Sequence, residues 1–162
     1  MPRVYIGIGS NIDRENSLRA AVRELTALYG PLTLSPVYES RAYGFEGDDF
    51  YNLVAGFDST EPIEQIKETL TRIESQFGRE RRENRFSPRA LDLDLLLYGD
   101  TVRHTNKINL PHPDIRRYAF VLRPLADIAP DLRHPETGET CADMWRQFDA
   151  EKQETRRVEL EF

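Results

Sequence analysis

The stretch LDLDLLLY at residues 91–98 is the strongest strand pattern in this sequence, and it decides the fold. Successive side chains of a strand point to opposite faces, so Asp92 and Asp94 are predicted to share one face of the sheet. Leu96 and Tyr98 would continue that face, which confines the two acids to one end of the strand. The other face would be filled by Leu91, Leu93, Leu95 and Leu97.

The elements before this strand follow a simple order. Apolar alternation predicts strands at residues 3–8, 32–40 and 50–59, and helical spacing of apolar residues predicts helices at 15–28 and 62–77. The order strand, helix, strand, strand, helix, strand is the ferredoxin-like βαββαβ arrangement of an α+β protein, with both helices on one face of the sheet. On one face of the second strand we expect Leu32, Leu34, Pro36 and Tyr38.

The pattern after residue 100 is weaker. We expect a short strand near Val102, a loop through residues 111–113, a helix over 116–127 and a short helical segment over 141–148. Residues 158–162 alternate in the manner of an edge strand.

Length and composition limit the class of protein. The chain has 162 residues, 39% hydrophobic and 31% charged, with a net charge of −6, which is typical of one globular domain spanning 1–162. No apolar run approaches the roughly 20 residues of a membrane span. Because Cys141 is the sole cysteine, no internal disulfide can form, and a reducing cytoplasm is the expected location. The overall acidity argues against a dedicated nucleic-acid-binding protein.

The acidic pair on the last strand has two interpretations. Asp92 and Asp94 could hold metal ions between them, and two Mg²⁺ about 3.5–4 Å apart are the arrangement that neutralises transferring phosphates. Alternatively, they are ordinary acids on a solvated strand face. Strands disfavour aspartate, and like charges repel on one face, so the metal interpretation gains weight.

A basic segment leads directly into this pair. Five arginines against two glutamates give residues 79–89 a local charge of +3 in an acidic chain. Arginine grips phosphate oxygens with a planar fork, although most charge runs are solvated and salt-bridged. The proximity to Asp92 and Asp94 favours a site for a metal-bound polyphosphate. The arginines are Arg79, Arg81, Arg82, Arg85 and Arg89.

Other candidates are weaker when taken singly. Residues 9–11 could cradle a phosphate or simply form a turn, and His112, between two prolines, could be structural or a phosphate donor. Phe86 lies in the charged segment, where no core pattern surrounds it, and could stack on a flat ring. Asn52, beside Phe50, could read a heterocycle through its paired donor and acceptor.

Taken together, these motifs resemble the 6-hydroxymethyl-7,8-dihydropterin pyrophosphokinase family of folate biosynthesis. The most specific stretch is RFSPRALDLDL at 85–95, supported by residues 5–11, 50–54, 110–113 and 120–125. The resemblance implies a three-layer α/β/α domain around a ferredoxin-like centre. It also implies transfer of a pyrophosphoryl group from ATP to the pterin hydroxymethyl oxygen, with release of AMP.

The resemblance also implies roles for individual residues. Catalytic residues would be Arg79 and Arg89, and the ligands of two Mg²⁺ would be Asp92 and Asp94. ATP-binding residues would be Glu74, Arg81, Arg89, Leu95, Lys107, Ile108 and His112. Pterin-binding residues would be Ser40, Tyr43, Phe50, Asn52, Phe86 and Phe120. The chain departs from the family pattern at three positions, where Phe86 replaces Trp, Ser87 replaces Gly and Tyr118 replaces Arg.

The implied mechanism is in-line displacement at the β-phosphorus of ATP, with the metals activating the nucleophile and the arginines stabilising charge. A monomer acting on small molecules, without nucleic acid or membrane, is expected. Two other classes remain open. One is a nucleotidyltransferase with Gly-Ser and Asp-x-Asp motifs, although such motifs usually lie about one short helix apart. The other is a ferredoxin-like RNA-binding module, although the chain is acidic and lacks a basic aromatic strand.

Overall fold

The computed structural model describes residues 1–41, 49–78 and 91–162. Its strands are β1 (Arg3–Ser10), β2 (Thr33–Leu34), β3 (Val37–Ser40), β4 (Phe50–Asp58), β5 (Asp92–Tyr98), β6 (Arg103–His104), β7 (Asn109–Leu110) and β8 (Arg156–Val158). Its α-helices are α1 (Arg14–Tyr29), α2 (Ile63–Gly78), α3 (Asp114–Arg117), α4 (Ala119–Ile128) and α5 (Cys141–Gln147), and a 3₁₀ turn covers Ala150–Lys152.

The main sheet has the strand order β5-β1-β4-β3-β8, and β2 also pairs with β4. All of these pairs are antiparallel. The four strands of the predicted βαββαβ unit therefore take the order fourth, first, third, second, which confirms the ferredoxin-like α+β arrangement. A separate small ribbon joins β6 to β7.

Helices α1 and α2 pack together on one face of the sheet, as predicted. Their apolar stripes, spaced three and four residues apart, meet the inward side chains of the strands. We call this the first core; it includes Leu18, Leu25, Ile66, Leu70, Ile6, Ile8, Leu53 and Phe57. Helix α1 ends at Gly30, which has a φ of 82° and whose N–H donates to the carbonyl of Thr26. A positive φ at this position suits glycine because it lacks a Cβ.

The opposite face of the sheet is covered by α3, α4 and α5. We call this the second core; it includes Tyr5, Val54, Leu96, Ile115, Leu122, Leu125, Cys141 and Met144. The sheet thus lies between two helical layers, which agrees with the expected three-layer arrangement. No helix in the parts of the chain that the structure describes is long and apolar enough to cross a membrane.

A β-bulge in β5 changes the predicted alternation. Tyr5 pairs with Leu97 while the next residue, Ile6, pairs with Leu95, so Leu96 is the extra residue. The acids and Leu96 share a face as expected, but Leu97 also belongs to the second core. Tyr98 packs against the first core instead. The prediction was therefore wrong for Leu97 and Tyr98, because a bulge adds one residue to the strand and reverses the alternation beyond it.

The predicted strand over 32–40 is interrupted at Ser35 and Pro36. Proline has no N–H with which to continue a ladder. Leu34 packs against the first core, whereas the hydroxyl of Tyr38 bonds to Asp127 of α4 on the other face. The expectation that these side chains share one face was therefore wrong for Tyr38.

Three elements of the C-terminal third also differ from expectation. The helix predicted over 116–127 is divided into α3 and α4 by Tyr118, whose backbone is extended at φ −125° and ψ 129°. The strand expected near Val102 lies one residue later, in β6. Only Arg156–Val158 pairs with β3, so the predicted strand over 158–162 was wrong for its last four residues. The short helix over 141–147 matches the prediction.

Candidate active site

The two acids of β5 lie at one end of the sheet, on the face of the second core. Asp92 stands opposite Gly9 of β1, and Asp94 stands opposite Gly7. Both aspartates are half-buried. Because β5 alternates regularly until the bulge, the neighbouring leucines are buried in the first core and the carboxylates are left on one face.

A third carboxylate approaches this pair from α2. Glu74 Oε2 accepts a hydrogen bond of 2.8 Å from the backbone N–H of Leu93, on the outer edge of β5. Burial raises the pKa of the Glu74 carboxyl to about 8, and the nearby Asp92 and Asp94 add to that rise, although the Leu93 N–H opposes it. The end of β5 therefore brings three carboxyl groups together, and burial favours the protonated form of Glu74.

His112 lies beside the acids and is held by the backbone. Its N–H donates to the carbonyl of Leu96 at 2.9 Å, and its Nδ1 accepts from the N–H of Asp114 at 3.1 Å. One ligand atom each from Asp94, His112 and Asp114 lies within 4.8 Å of the others. Burial lowers the pKa of the His112 imidazole, which favours its neutral form.

A second group of predicted residues lies across β1, on the same face of the sheet. Asn52 pairs with Gly9 on β4, and Ser40 pairs with Phe50 on the neighbouring strands. A Cβ on Gly9 would lie 2.5 Å from the Nδ2 atom of Asn52, so the amide occupies the space that a side chain would take. Gly7 and Gly9 contribute no side chains of their own, so the backbone of β1 forms a floor between Asn52 and the two acids, with the Asn52 amide over Gly9 and Leu96 beside Gly7.

Two buried polar atoms in this group have no hydrogen-bond partner among the described residues: Ser40 Oγ and Asn52 Oδ1. An unsatisfied buried polar atom typically costs about 1–3 kcal/mol. Native structures seldom leave such atoms unpaired, so a bound water or ligand is expected to supply the missing partners.

Phe120, in the first turn of α4, belongs to the layer above this floor. Helix α4 packs against β4 and β3, the strands that carry Asn52 and Ser40. The Phe120 ring stacks on that of Tyr118, with centroids 4.9 Å apart and planes 19° apart. Tyr118, one of the departures from the family pattern, is thus an aromatic neighbour of Phe120.

A cavity of about 560 Å³ lies between α2 and the turn that joins β6 to β7. It brings Lys107 and Ile108, both predicted ATP-binding residues, next to Lys67 and Arg72 of α2. Lys67 Nζ donates to the carbonyl of Lys107 at 3.0 Å. Leu95, the remaining apolar ATP prediction, is buried in the first core.

Several predicted residues lie outside the described part of the chain: Tyr43, Arg79, Arg81, Phe86 and Arg89. The described residues on either side of the arginine-rich segment are close to the acids, because Glu74 in the last turns of α2 bonds to Leu93 of β5. Among residues 9–11, Ser10 forms a turn: its hydroxyl donates to the carbonyl of Ile12 at 3.0 Å.

Sequence reasoning missed two contributors to the site. Asp114 was not considered, although an acid two residues after His112, at the start of a helix, was a usable signal. Lys67 and Arg72, on the polar side of α2, were not among the predicted site residues. These residues line the cavity because the β6–β7 turn lies opposite α2. The position of that turn is set by tertiary packing and cannot be read from the local sequence.

Comparison with known proteins places this arrangement in a class. Solved bifunctional HPPK-DHPS chains of Plasmodium falciparum superpose with a TM-score of 0.69 at 12% identity, over 90% of this chain and 44% of theirs. This chain thus spans less than half of those proteins, and at this identity the likeness shows the fold alone.

The sequence then gives the family. Residues 5–130 match the family described as 7,8-dihydro-6-hydroxymethylpterin-pyrophosphokinase (HPPK), and the chain belongs to it. It is 37% identical to the 2-amino-4-hydroxy-6-hydroxymethyldihydropteridine pyrophosphokinase of Synechocystis sp., over 89% of this chain and 75% of that one. It is 34% identical to the enzyme of the same name from Aquifex aeolicus, over 83% and 85% respectively. The chain is therefore a transferase of folate biosynthesis. Membership of this family argues against the two alternative classes, a nucleotidyltransferase and an RNA-binding module.

Proposed function

We propose that this chain transfers the pyrophosphoryl group of ATP to the hydroxymethyl oxygen of 6-hydroxymethyl-7,8-dihydropterin, giving AMP and the pterin diphosphate. The proposal rests on two groups of residues on one face of the sheet, which we call half-sites: Ser40 and Asn52 form one, and Asp92 and Asp94 form the other. Unpartnered polar atoms lie on one side of the Gly7–Gly9 floor and clustered carboxylates on the other. A flat heterocycle and a polyphosphate could therefore meet above the floor.

The unpartnered atoms suit the edge of a pterin. Asn52 Oδ1 is an acceptor and Ser40 Oγ can accept or donate, and a pterin edge offers both N–H groups and acceptors. Phe120 supplies an aromatic face from above, and stacking of this kind contributes about 0.5–1.5 kcal/mol beyond burial. Phe50, which pairs with Ser40 across β3 and β4, is proposed as a further pterin contact. Tyr43 and Phe86 are proposed as further contacts from the resemblance alone.

The carboxylates suit magnesium. Mg²⁺ prefers oxygen ligands and takes one or two carboxylates together with substrate phosphates, which Asp92 and Asp94 can supply. The two aspartates also contribute to the raised pKa of Glu74, so all three carboxyl groups lie close together, and a bound cation would offset the repulsion between Asp92 and Asp94. Two Mg²⁺ are proposed here, and when bound they would neutralise charge on the triphosphate.

The nucleotide would extend from the acids towards α2. The imidazole of His112 can hydrogen-bond a phosphate oxygen, and the cavity beside Lys107 and Ile108 can take the adenosine. Glu74, which lies in α2 and bonds to the edge of β5, is proposed to contact ATP. Arg79, Arg81 and Arg89 are proposed to clamp the phosphates, because the described residues on either side of their segment approach Asp92.

In the proposed reaction the hydroxymethyl oxygen attacks the β-phosphorus in line, and a new O–P bond forms. The bond from that phosphorus to the oxygen of the α-phosphate breaks, AMP leaves with that oxygen, and the alcohol proton is released. The chain's own residues orient the two substrates: Asn52, Ser40 and Phe120 hold the ring. Positioning of this kind is a major part of phosphoryl-transfer catalysis.

The test is product analysis with ATP, Mg²⁺ and the dihydropterin. AMP and a pterin diphosphate should accumulate in equal amounts, and formation of ADP would overturn the pyrophosphoryl assignment. Asp94→Ala should lower kcat by about 100-fold or more, since even outer-shell changes at metal sites cost 10–100-fold. Asp100→Ala, which removes an exposed acid just after the same strand, is the matched control and should retain activity.

A further inference from the structure

The last part of the chain, outside the family match over 5–130, wraps around helix α4. Helix α5 packs against α4, and β8 adds a strand to β3 at the edge of the sheet. Between them, the segment from the 3₁₀ turn to β8 passes the first turn of α4. This is the turn that carries Phe120.

Gln153 connects this segment to the junction between α3 and α4. Its Oε1 accepts from the N–H of Ala119 at 3.0 Å, and its Nε2 donates to the carbonyl of Arg117 at 2.8 Å. These two backbone groups flank Tyr118, the N-cap residue, whose own side chain makes no capping hydrogen bond. Gln153 thus provides from a distance the cap that the local sequence lacks.

A second connection lies one turn further along α4. Arg123 Nη1 donates to the carbonyl oxygen of Thr155 at 3.1 Å and to its Oγ1 at 2.8 Å. The Arg123 guanidinium also lies over the ring of Tyr38, 4.6 Å from its centroid. Tyr38 pairs with Asn52 across the strands, so this connection ends beside the half-site of unpartnered atoms.

We propose that Gln153 is a positioning residue for the pterin: by holding the first turn of α4 it sets the position of the Phe120 ring. Phe120 follows Ala119 directly, so fraying of this turn would displace the ring. Unsatisfied N–H and C=O groups at helix ends favour such local opening. The inference rests on the proposed role of Phe120 in the pterin site. The cavity residues Lys107 and Ile108 lie on other elements, so the effect should be confined to one substrate.

The test compares Gln153→Met with Gln147→Met, which changes an exposed glutamine at the end of α5. Gln153→Met keeps the length of the side chain and removes both hydrogen bonds. It should raise the KM for the pterin roughly tenfold, at saturating ATP, because a displaced Phe120 ring would stack less well on the pterin. The KM for ATP should stay within about twofold, and Gln147→Met should change neither value.

Amide hydrogen exchange of residues 119–123 is the second readout, and it does not depend on activity. Gln153→Met should accelerate exchange there, and Gln153→Glu, which keeps an acceptor for the Ala119 N–H, should restore part of the protection. Unchanged exchange overturns the inference, as does faster exchange with an unchanged pterin KM or an equal rise in both KM values. If the wild-type protein makes no pterin diphosphate, the proposed function fails, while the exchange data still show whether Gln153 holds α4.

Discussion

Gly9 shows how a missing side chain can shape a site. A Cβ at this position would lie 2.5 Å from Asn52 Nδ2, so Gly9→Ala must displace the Asn52 amide. We expect the KM for the pterin to rise about tenfold, the effect of losing a well-placed hydrogen bond or two. Folding stability should change little, because the atom that moves is the end of a flexible side chain.

Gly7→Ala is the matched control on the same strand and face. There the added Cβ would meet the side chain of Leu96 at 3.5 Å, an ordinary van der Waals contact. Steady-state kinetics of the two variants should therefore separate them. A larger effect on pterin KM at position 7 than at position 9 would contradict the position assigned to Asn52.

We expect His134 to make the folded protein less stable in acid. Burial lowers the pKa of its imidazole, and the positive charge of Arg116 adds to this, although Glu136 and Glu139 oppose it. A depressed histidine pKa means that stability is present above the unfolded value near 6.5 and is lost as pH falls through the folded value. Between pH 7.5 and 5, the Tm of the wild type should therefore fall more steeply than that of His134→Asn.

His104 provides a control of opposite sign. Hydrogen bonds to Asn109 and Glu136 raise the pKa of this exposed imidazole, so its small contribution is present at low pH and is lost as pH rises. His104→Asn should not reduce the loss of stability on acidification. Equal slopes for wild type and His134→Asn would contradict the assignment to His134.

At the residue scale, the sequence was sufficient to predict the face of a strand on which a side chain lies. It was not sufficient to predict the tertiary contacts of that side chain. The period of a strand was enough to place Asp92 and Asp94 on one face. The approach of Glu74 to Leu93 depends on how α2 lies along β5, and the unpartnered state of Ser40 Oγ depends on burial in the folded protein. Neither can be read from local sequence, because both are set by tertiary packing.

At the scale of elements, Ser35 keeps the chain hydrogen-bonded to β4 at the interruption between β2 and β3, next to Pro36. Its N–H donates to the carbonyl of Val54 at 2.9 Å, and its Oγ accepts from the N–H of Val54 at 2.8 Å. Ser35→Ala would leave that buried N–H without a partner. We expect it to lower the free energy of unfolding by about 1–3 kcal/mol, measured by urea denaturation.

Ser59→Ala is a suitable comparison for this prediction. Ser59 Oγ accepts from the N–H of Glu61 at 3.0 Å, in a less buried position where water can replace the hydroxyl. Its cost should stay below about 1 kcal/mol. Equal stability of the two variants would contradict the stabilising role assigned to the hydrogen bond between the Val54 N–H and Ser35 Oγ.

The order of the elements followed from hydrophobic periodicity, and their irregularities did not. A bulge such as the one at Leu96 arises from the register between β5 and β1, which is a long-range property. Pro36 was visible in the sequence, but the apolar alternation around it favoured one continuous strand. The break at Tyr118 had no local signal of its own, since the stabilising contacts come from Gln153, 35 positions later.

At the scale of the whole molecule, the two cores share one sheet and should unfold together. Trp145, the sole tryptophan, packs on the second core, while α1 and α2 cover the first. Tryptophan fluorescence and far-ultraviolet circular dichroism should therefore give coincident denaturation curves, as two-state unfolding requires. Two separate transitions would contradict the prediction of a single domain over 1–162.

Core variants extend this test to each layer. Leu25→Ala in the first core and Leu122→Ala in the second both truncate fully buried side chains. Each should lower stability by about 2–5 kcal/mol. Each variant should shift both spectroscopic curves by the same amount if the layers are coupled.

The hydrogen bond from Leu93 to Glu74 has a consequence beyond chemistry. An open sheet edge offers unpaired N–H and C=O groups on which another chain can add a strand, and this is a common route to aggregation. On β5, the carboxyl of Glu74, which we propose contacts ATP, also occupies one of those donors. At the far edge, β8 is only three residues long and carries Arg156 and Arg157. Each edge of the sheet thus has a feature that hinders the addition of another strand, and on β5 that feature is a residue of the proposed ATP site.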